Sequence, residues 1–172
     1  ATDLQGRVTW YYDPTNTGLT YTFPIQSLVT GGTVLVVGTD PFAALPNARN
    51  VLREVDLAGN PIRETNLAAI NAQLAALGHG GVHSFTNDVQ RLSDGRTAAI
   101  GITERTVNVN GTPTDYIGMS IIVLDVDFRV VWAWNGFDHM DVNRPPVLGE
   151  IVQANSTGPT TAVPRLPAVD WL

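Results

Sequence analysis

The sequence predicts an all-β fold, a β-propeller held here as an incomplete part, with about two full blades, the edges of neighbouring blades and one short helix. Three observations predict it. First, an Asp-led turn between strands recurs at Asp3-Leu4-Gln5-Gly6-Arg7, at Asp56-Leu57-Ala58-Gly59-Asn60 and at Asp125-Val126-Asp127-Phe128-Arg129. Second, Gly32-Thr33-Val34-Leu35-Val36-Val37-Gly38-Thr39 superimposes without gaps on Gly95-Arg96-Thr97-Ala98-Ala99-Ile100-Gly101-Ile102. Third, these features repeat at a spacing of roughly fifty to seventy residues, which suits a unit of four short strands better than the shorter unit of a solenoid.

Composition sets the outer bounds. A chain of 172 residues, 44% hydrophobic and 15% charged, can bury one sizeable core. Its formal net charge of -6 provides no cationic field, so nucleic acid is not an expected partner. All ten basic residues are arginine, whose guanidinium fork suits bidentate oxyanions. Cysteine is absent, which excludes disulfides, thiolate catalysis and cysteine-held zinc. No apolar run reaches the roughly 20 residues of a membrane helix, so membrane insertion is not expected. The start, Ala1-Thr2-Asp3, has neither a basic nor an apolar leader and fits a processed, recombinant or proteolytic terminus.

Taken in order, the first unit after the opening turn runs from about Thr20 through Arg63. In each turn, aspartate accepts hydrogen bonds from the backbone ahead and glycine supplies a positive φ; Phe128 in place of that glycine weakens the third copy. A helix follows, since Leu67, Ile70, Leu74 and Leu77 share one face, Asn66 is a good N-cap and Gly78 ends the run. It is expected to pack between repeats, with its stripe over blade ends at a propeller mouth. The best-formed blade has an innermost strand from Asp88 to Leu92, a turn at Ser93-Asp94-Gly95 and a strand from Arg96 to Thr103. A loop with Asn110-Gly111 and Pro113 then leads to strands Ser120–Asp125 and Arg129–Trp134. The Pro-rich stretch from Asn143 to Pro167 reads as a surface crossing, and Val169-Asp170-Trp171-Leu172 as the start of another innermost strand. Two blades cannot close a ring and open edges aggregate. Residues 1–172 are therefore expected to be part of a single propeller domain continuing beyond Leu172, completed by the rest of the polypeptide or by a second chain as a homo-oligomer.

Chemistry is expected where polar side chains meet the propeller axis. Thr86-Asn87-Asp88 stands just ahead of the innermost strand, with Asn87 and Asp88 facing a channel; capping of a turn is the other use of this pair. His139, within Phe137-Asp138-His139-Met140-Asp141, is flanked by carboxylates that could orient it as a base, or it serves packing. His79 and His83 bracket Gly80-Gly81 and are expected in solvent, and no histidine spacing supports a metal site or another cofactor. Arg144, stiffened by Pro145-Pro146, could hold a guanidinium over the channel; Arg91 and Arg105 are further anion candidates or surface ion pairs. Trp10, Trp132 and Trp134 are expected to be packing residues, while Trp171 could stack an aromatic ring. No nucleophile elbow, phosphate loop or dinucleotide fingerprint is present.

The stretch from Asn66 through Asp141, with Gln90-Arg91-Leu92-Ser93-Asp94-Gly95, Ile122-Val123-Leu124-Asp125, Val131-Trp132-Ala133-Trp134 and Phe137-Asp138-His139, resembles bacterial aryl sulfate sulfotransferases. The resemblance implies a six-bladed propeller, periplasmic or secreted, that moves a sulfuryl group from an aromatic sulfate ester to a phenol without a nucleotide donor or other cofactor. It also implies a sulfated histidine with further histidines and an arginine in the channel, a sound arrangement because imidazole is nucleophilic and cations stabilise the transferring group. Two departures follow. Where the family has His-His followed by Asp or Glu, this chain has Thr86-Asn87-Asp88, so only Asp88 carries over. Asp170-Trp171-Leu172 resembles the segment that in the family is followed directly by a histidine and soon after by an asparagine. The resemblance implies a nucleophilic histidine and its arginine partner beyond Leu172, so no complete catalytic set is expected within these residues. A non-catalytic secreted propeller for binding or assembly is the rival expectation.

Overall fold

The computed structural model describes residues 2–14, 22–27, 32–38, 50–109, 111–141, 152–153 and 168–169. Two four-stranded antiparallel sheets dominate it. Strands β1 (Thr22–Ser27), β2 (Thr33–Gly38), β3 (Val51–Asp56) and β4 (Pro61–Asn66) form the first sheet, in that order. Strands β5 (Ser84–Arg91), β6 (Thr97–Val109), β7 (Thr112–Leu124) and β8 (Val130–Asn135) form the second in the same up-and-down order. Helix α1 (Leu67–Ala76) links them, and β9 (Val152–Gln153) pairs with β10 (Ala168–Val169).

Turn chemistry explains why the strands fold back where they do. In each repeated turn the aspartate N–H donates to the carbonyl four residues on and its own carbonyl accepts from the residue three ahead. The pairs are Asp3–Arg7 and Gly6–Asp3, Asp56–Asn60 and Gly59–Asp56, and Asp125–Arg129 and Phe128–Asp125, all between 2.8 and 3.1 Å. The aspartate Oδ1 accepts from the backbone ahead, at Arg7, Asn60 and Arg129 respectively. The residue before the exit is left-handed: φ is 78° at Gly6, 86° at Gly59 and 61° at Phe128. The third copy is therefore a full member of the set. A left-handed non-glycine residue costs about 1–2 kcal/mol. Burial of the Phe128 ring, 2% exposed beneath Arg63 and Arg91 at 5.0 and 6.0 Å from its centroid, offsets that cost.

The core lies between the sheets. Leu35 and Leu52 of the first sheet, Leu67, Ile70 and Leu74 of the helix, and Val82, Phe85, Val89, Ala99, Ile122, Leu124 and Phe128 form one buried cluster. Asn66 caps the helix by accepting from Ala69 N at 2.9 Å, as its sequence position predicts. The helix packs inside this cluster as a linker between repeats. Leu77 departs from the expected stripe: it is the C-cap and is 55% exposed.

A polar junction crosses the same interface. Glu54 on β3, almost buried, accepts from Arg63 of β4 and Arg91 of β5, each at 2.5 Å on Oε2, and from Thr33 Oγ1 at 2.9 Å on Oε1. Burial pulls the Arg91 guanidinium pKa below its ordinary value, against the attraction of Glu54. Arg63 Nη1 also donates to the carbonyl of Val126 in the β7–β8 turn.

Several strand limits differ from the sequence expectation. The innermost strand begins at Ser84, so Thr86, Asn87 and Asp88 lie inside β5 and not ahead of it. No long loop separates β6 from β7. Thr97–Val109 pairs in unbroken register with Thr112–Leu124, up to Val109 opposite Thr112, and Gly111 takes φ 85°. Pro113, which has no N–H to give a ladder, is tolerated because among the described residues β7 pairs there with β6 alone; β8 pairs with β7 from Ser120 onward. Within the Pro-rich crossing, Val152–Gln153 forms a short strand against Ala168–Val169.

Candidate functional site

On β5 the ladder to β6 runs Ser84 to Ile102, Phe85 to Gly101 and Thr86 to Ile100, then resumes with Val89 opposite Ala99. Asn87 and Asp88 have no partner residues on β6. They form a bulge on an edge strand, the device that lifts side chains out of a ladder toward a ligand site. Asp88 is exposed, and its Oδ1 accepts from Val89 N at 2.8 Å, which fixes the carboxylate beside the bulge. Strand β1 is irregular at the corresponding place, between Thr22 and Ile25, but there the bulged residues are Phe23 and Pro24. Of the two bulges, the one on β5 carries polar chemistry.

The other sequence candidates stand apart from it. His139 lies beyond β8, at the end of a single 3-10 turn (Gly136–Asp138), and its ring stacks on Trp134 with centroids 5.3 Å apart and planes at 4°. The two edge strands β5 and β8 are separated by three strand spacings, roughly 14 Å. His139 therefore joins an aromatic stack at the far edge of the sheet from Asp88. Arg144 and Trp171 lie outside the described residues, as do the side chains of Thr86 and Asn87. Arg91 is bound to Glu54, and Arg105 pairs with Asp138 at 2.6 Å while donating to the Phe137 carbonyl at 3.0 Å. Both arginines take the ion-pair alternative to the anion clamp.

A second polar concavity was not anticipated. A cleft of about 230 Å³ is lined by Asn71 of α1, the loop Gly80–His83, Thr103, Glu104 and Arg105 of β6, and Asn135. Its wall is built by hydrogen bonds to the loop. Asn71 accepts from Val82 N and donates to Val82 O, both at 2.8 Å, and Thr103 Oγ1 donates to Gly81 O at 3.0 Å. Gly101 lets the loop approach, since a Cβ there would lie 2.9 Å from Val82 Cγ1. His83 is exposed as expected, with Nε2 3.7 Å from Glu104 Oε2, whereas His79 is only half exposed. The sequence signal for this cleft was the Gly80-Gly81 pair between two histidines; the strand Glu104–Val109 that completes it was read as loop. Among the described residues no three His, Asp or Glu side chains converge as a metal site.

Comparison with known proteins supplies one finding. The family model described as Arylsulfotransferase (ASST) matches residues 1–172. No curated protein and no solved structure matches the chain.

Proposed function

This chain belongs to the arylsulfotransferase family, and on that premise we propose that it forms part of a periplasmic or secreted β-propeller that transfers a sulfuryl group from an aryl sulfate to a phenol. The observation that carries the site assignment is the β5 bulge, which presents Asn87 and Asp88 off the ladder of an edge strand. The two successive up-and-down sheets support the propeller reading, because each has the strand order of a blade.

In this reading β5 and β1 are innermost strands and the bulge faces the channel. The S–O bond to the donor phenol breaks, an S–O bond to the acceptor forms, and the acceptor's proton ends on the departing phenolate. Asn87, through its amide N–H, donates to a sulfate oxygen and stabilises charge on the transferring group. Asp88 accepts hydrogen bonds and orients the acceptor hydroxyl. Neither Thr86 nor Asn87 can serve as a nucleophilic imidazole, so the bulge supplies an amide donor and a carboxylate and not the sulfuryl-accepting group.

The test is release of 4-nitrophenolate from 4-nitrophenyl sulfate, with phenol as acceptor, by the protein expressed from its full reading frame. Asn87→Ala should lower kcat/KM by about 100-fold, the effect of one lost oxyanion donor, and Asp88→Asn by a comparable or smaller factor. Unchanged turnover in both variants sinks the site assignment. The second reading, a non-catalytic binding propeller, is favoured by the Thr86-Asn87 pair, which has no imidazole. Saturable binding of 4-nitrophenyl sulfate by calorimetry, without turnover and lost in Asn87→Ala, would establish it.

A further inference from the structure

The core-facing side of the second sheet changes character toward one end. Ala99, Ile122, Leu124 and Ala133 share that face and are apolar. The next rank is polar: Thr103 on β6, Ser120 on β7 and Asn135 on β8, which are 2%, 3% and 5% exposed. Ser120 pairs with Gly101 on one side and with Asn135 on the other, and Thr103 pairs with Gly118, so the three side chains lie on one face. Two of them are short of partners. The Ser120 hydroxyl makes no hydrogen bond among the described residues. Asn135 Oδ1 accepts from Phe137 N at 3.0 Å, whereas Nδ2 has only Thr103 Oγ1 at 3.5 Å, beyond the usual N–H···O range. Buried polar groups left in this state are rare and call for a partner.

The polar cleft of about 230 Å³ opens on Asn135. A Cβ on Gly80 would stand 3.5 Å from Asn135 Nδ2, so this amide lies against the glycine loop. Around the glycine pair, the N–H groups of His79, Val82 and His83 are taken by Leu74 O, Asn71 Oδ1 and Ile102 O. Those of Gly80 and Gly81 make no hydrogen bond among the described residues. The carbonyls of Gly81 and Val82 are already occupied, by Thr103 and Asn71. What the cleft presents is therefore a set of donors. Arg105 holds the rim, fixed by Asp138 at 2.6 Å, by the Phe137 carbonyl at 3.0 Å and by the Phe137 ring at 5.1 Å. Glu104 lines the cleft as well, 3.7 Å from His83 Nε2, so each carboxylate near it has a basic neighbour.

We infer that this cleft binds a small oxyanion, a carboxylate or a phosphate-type group, whose oxygens accept from Asn135 Nδ2 and from the N–H groups of Gly80 and Gly81, with the Arg105 guanidinium adding positive charge at the rim. Hydrogen bonds from N–H groups to an ionised oxygen are stronger than neutral ones. The glycine pair leaves the backbone open to such an approach. The site is separate from the β5 bulge: Thr103 to Arg105 lie three to five residues along β6 from Ile100, the partner of Thr86, roughly 10 Å or more away. Nothing in it depends on sulfuryl transfer.

The test is an NMR titration of the ¹⁵N-labelled protein near neutral pH with sodium acetate and, separately, with sodium phosphate, the ionic strength held constant with sodium chloride. The backbone signals of Gly80 and Gly81 and the side-chain amide of Asn135 should shift together along a saturable curve, with half-saturation at or below about 10 mM for at least one anion. The tighter of the two distinguishes a planar from a tetrahedral ligand. Erythritol, an uncharged polyol, should leave these signals in place. Asn135→Asp keeps the acceptor for Phe137 N but exchanges the amide donor for a negative charge, and should weaken binding at least about tenfold. Gly80→Ala meets no atom closer than 3.5 Å and needs no left-handed backbone, so it should fold with an unchanged melting temperature. Its methyl group occupies the space before Asn135 Nδ2 and should weaken binding by a similar factor. Shifts that stay linear with both anions, an equal response to erythritol, or parent-like affinity in either folded variant overturns the assignment.

Discussion

Phe128 offers the sharpest test of how the turns are built. Its backbone is left-handed at φ 61° while its ring is 2% exposed between the sheets, so conformational cost and packing gain sit in one residue. Phe128→Ala removes the ring and keeps the strained backbone; loss of a buried phenylalanine costs about 3–5 kcal/mol. Phe128→Gly loses the same ring but drops the left-handed penalty of about 1–2 kcal/mol. Glycine's extra unfolded-state freedom returns about 0.5–1 kcal/mol of that relief. The glycine variant should therefore be destabilised less than the alanine variant, by about 0.5–1 kcal/mol, the reverse of their order in a regular strand. Urea denaturation followed by tryptophan fluorescence measures this. With a slope of about 2 kcal/mol per molar urea, the glycine midpoint should lie about 0.25–0.5 M above the alanine midpoint, and both below the parent. An alanine variant equal to or more stable than the glycine variant would refute the claim that backbone strain is carried there.

Other substitutions probe the remaining supports. Glu54→Gln leaves the guanidinium groups of Arg63 and Arg91 together without their shared carboxylate and should destabilise the protein by about 3–5 kcal/mol; a melting temperature unchanged within error would show that the junction contributes little. Gly101→Ala places a Cβ 2.9 Å from Val82 Cγ1 and should cost about 1–3 kcal/mol while displacing the Gly80–His83 loop, read as a shifted His83 ring resonance. Asp56 is held below the ordinary aspartate value of 3.8, first by the Asn60 side chain and then by backbone N–H groups. Its folded pKa is depressed, so its contribution to stability is present above the unfolded value and fades as pH falls through the folded one. NMR titration should find its midpoint below 3.8, and Asn60→Ala should move that midpoint upward.

Local chemistry was legible wherever a single residue type dictates the backbone. Asp56 and Gly59 specify their turn unaided, and Asn66 with Gly78 brackets the helix, so these features stand where the sequence puts them. What the sequence obscured were effects that arise between strands. Glu104 to Val109 mixes charged and apolar residues and reads as loop, yet pairing with β7 satisfies its backbone and extends the hairpin. Phe128 contradicts local propensity because the arginines that cover its ring come from β4 and β5. The polar trio was visible as chemistry, but the bulge that displaces Asn87 and Asp88 depends on the register of β6 and has no signature within β5 itself. His139 looked like a poised base from its flanking carboxylates; its stacking on Trp134 is a tertiary fact.

The β5 bulge has an arithmetic consequence for how such a site could arise. Side chains alternate along a strand with period two, so a two-residue insertion returns the strand to the same face. The one-residue excesses on β1, β4 and β8 are instead absorbed by a local kink. Asn87 and Asp88 are two residues, and Phe85 before them and Val89 after them both point into the core. An ancestral strand could gain or shed the pair as a unit and leave its inward-facing set intact. A deletion of both residues should still fold with a melting temperature near the parent's, so the polar pair is a detachable module on a scaffold that does not depend on it.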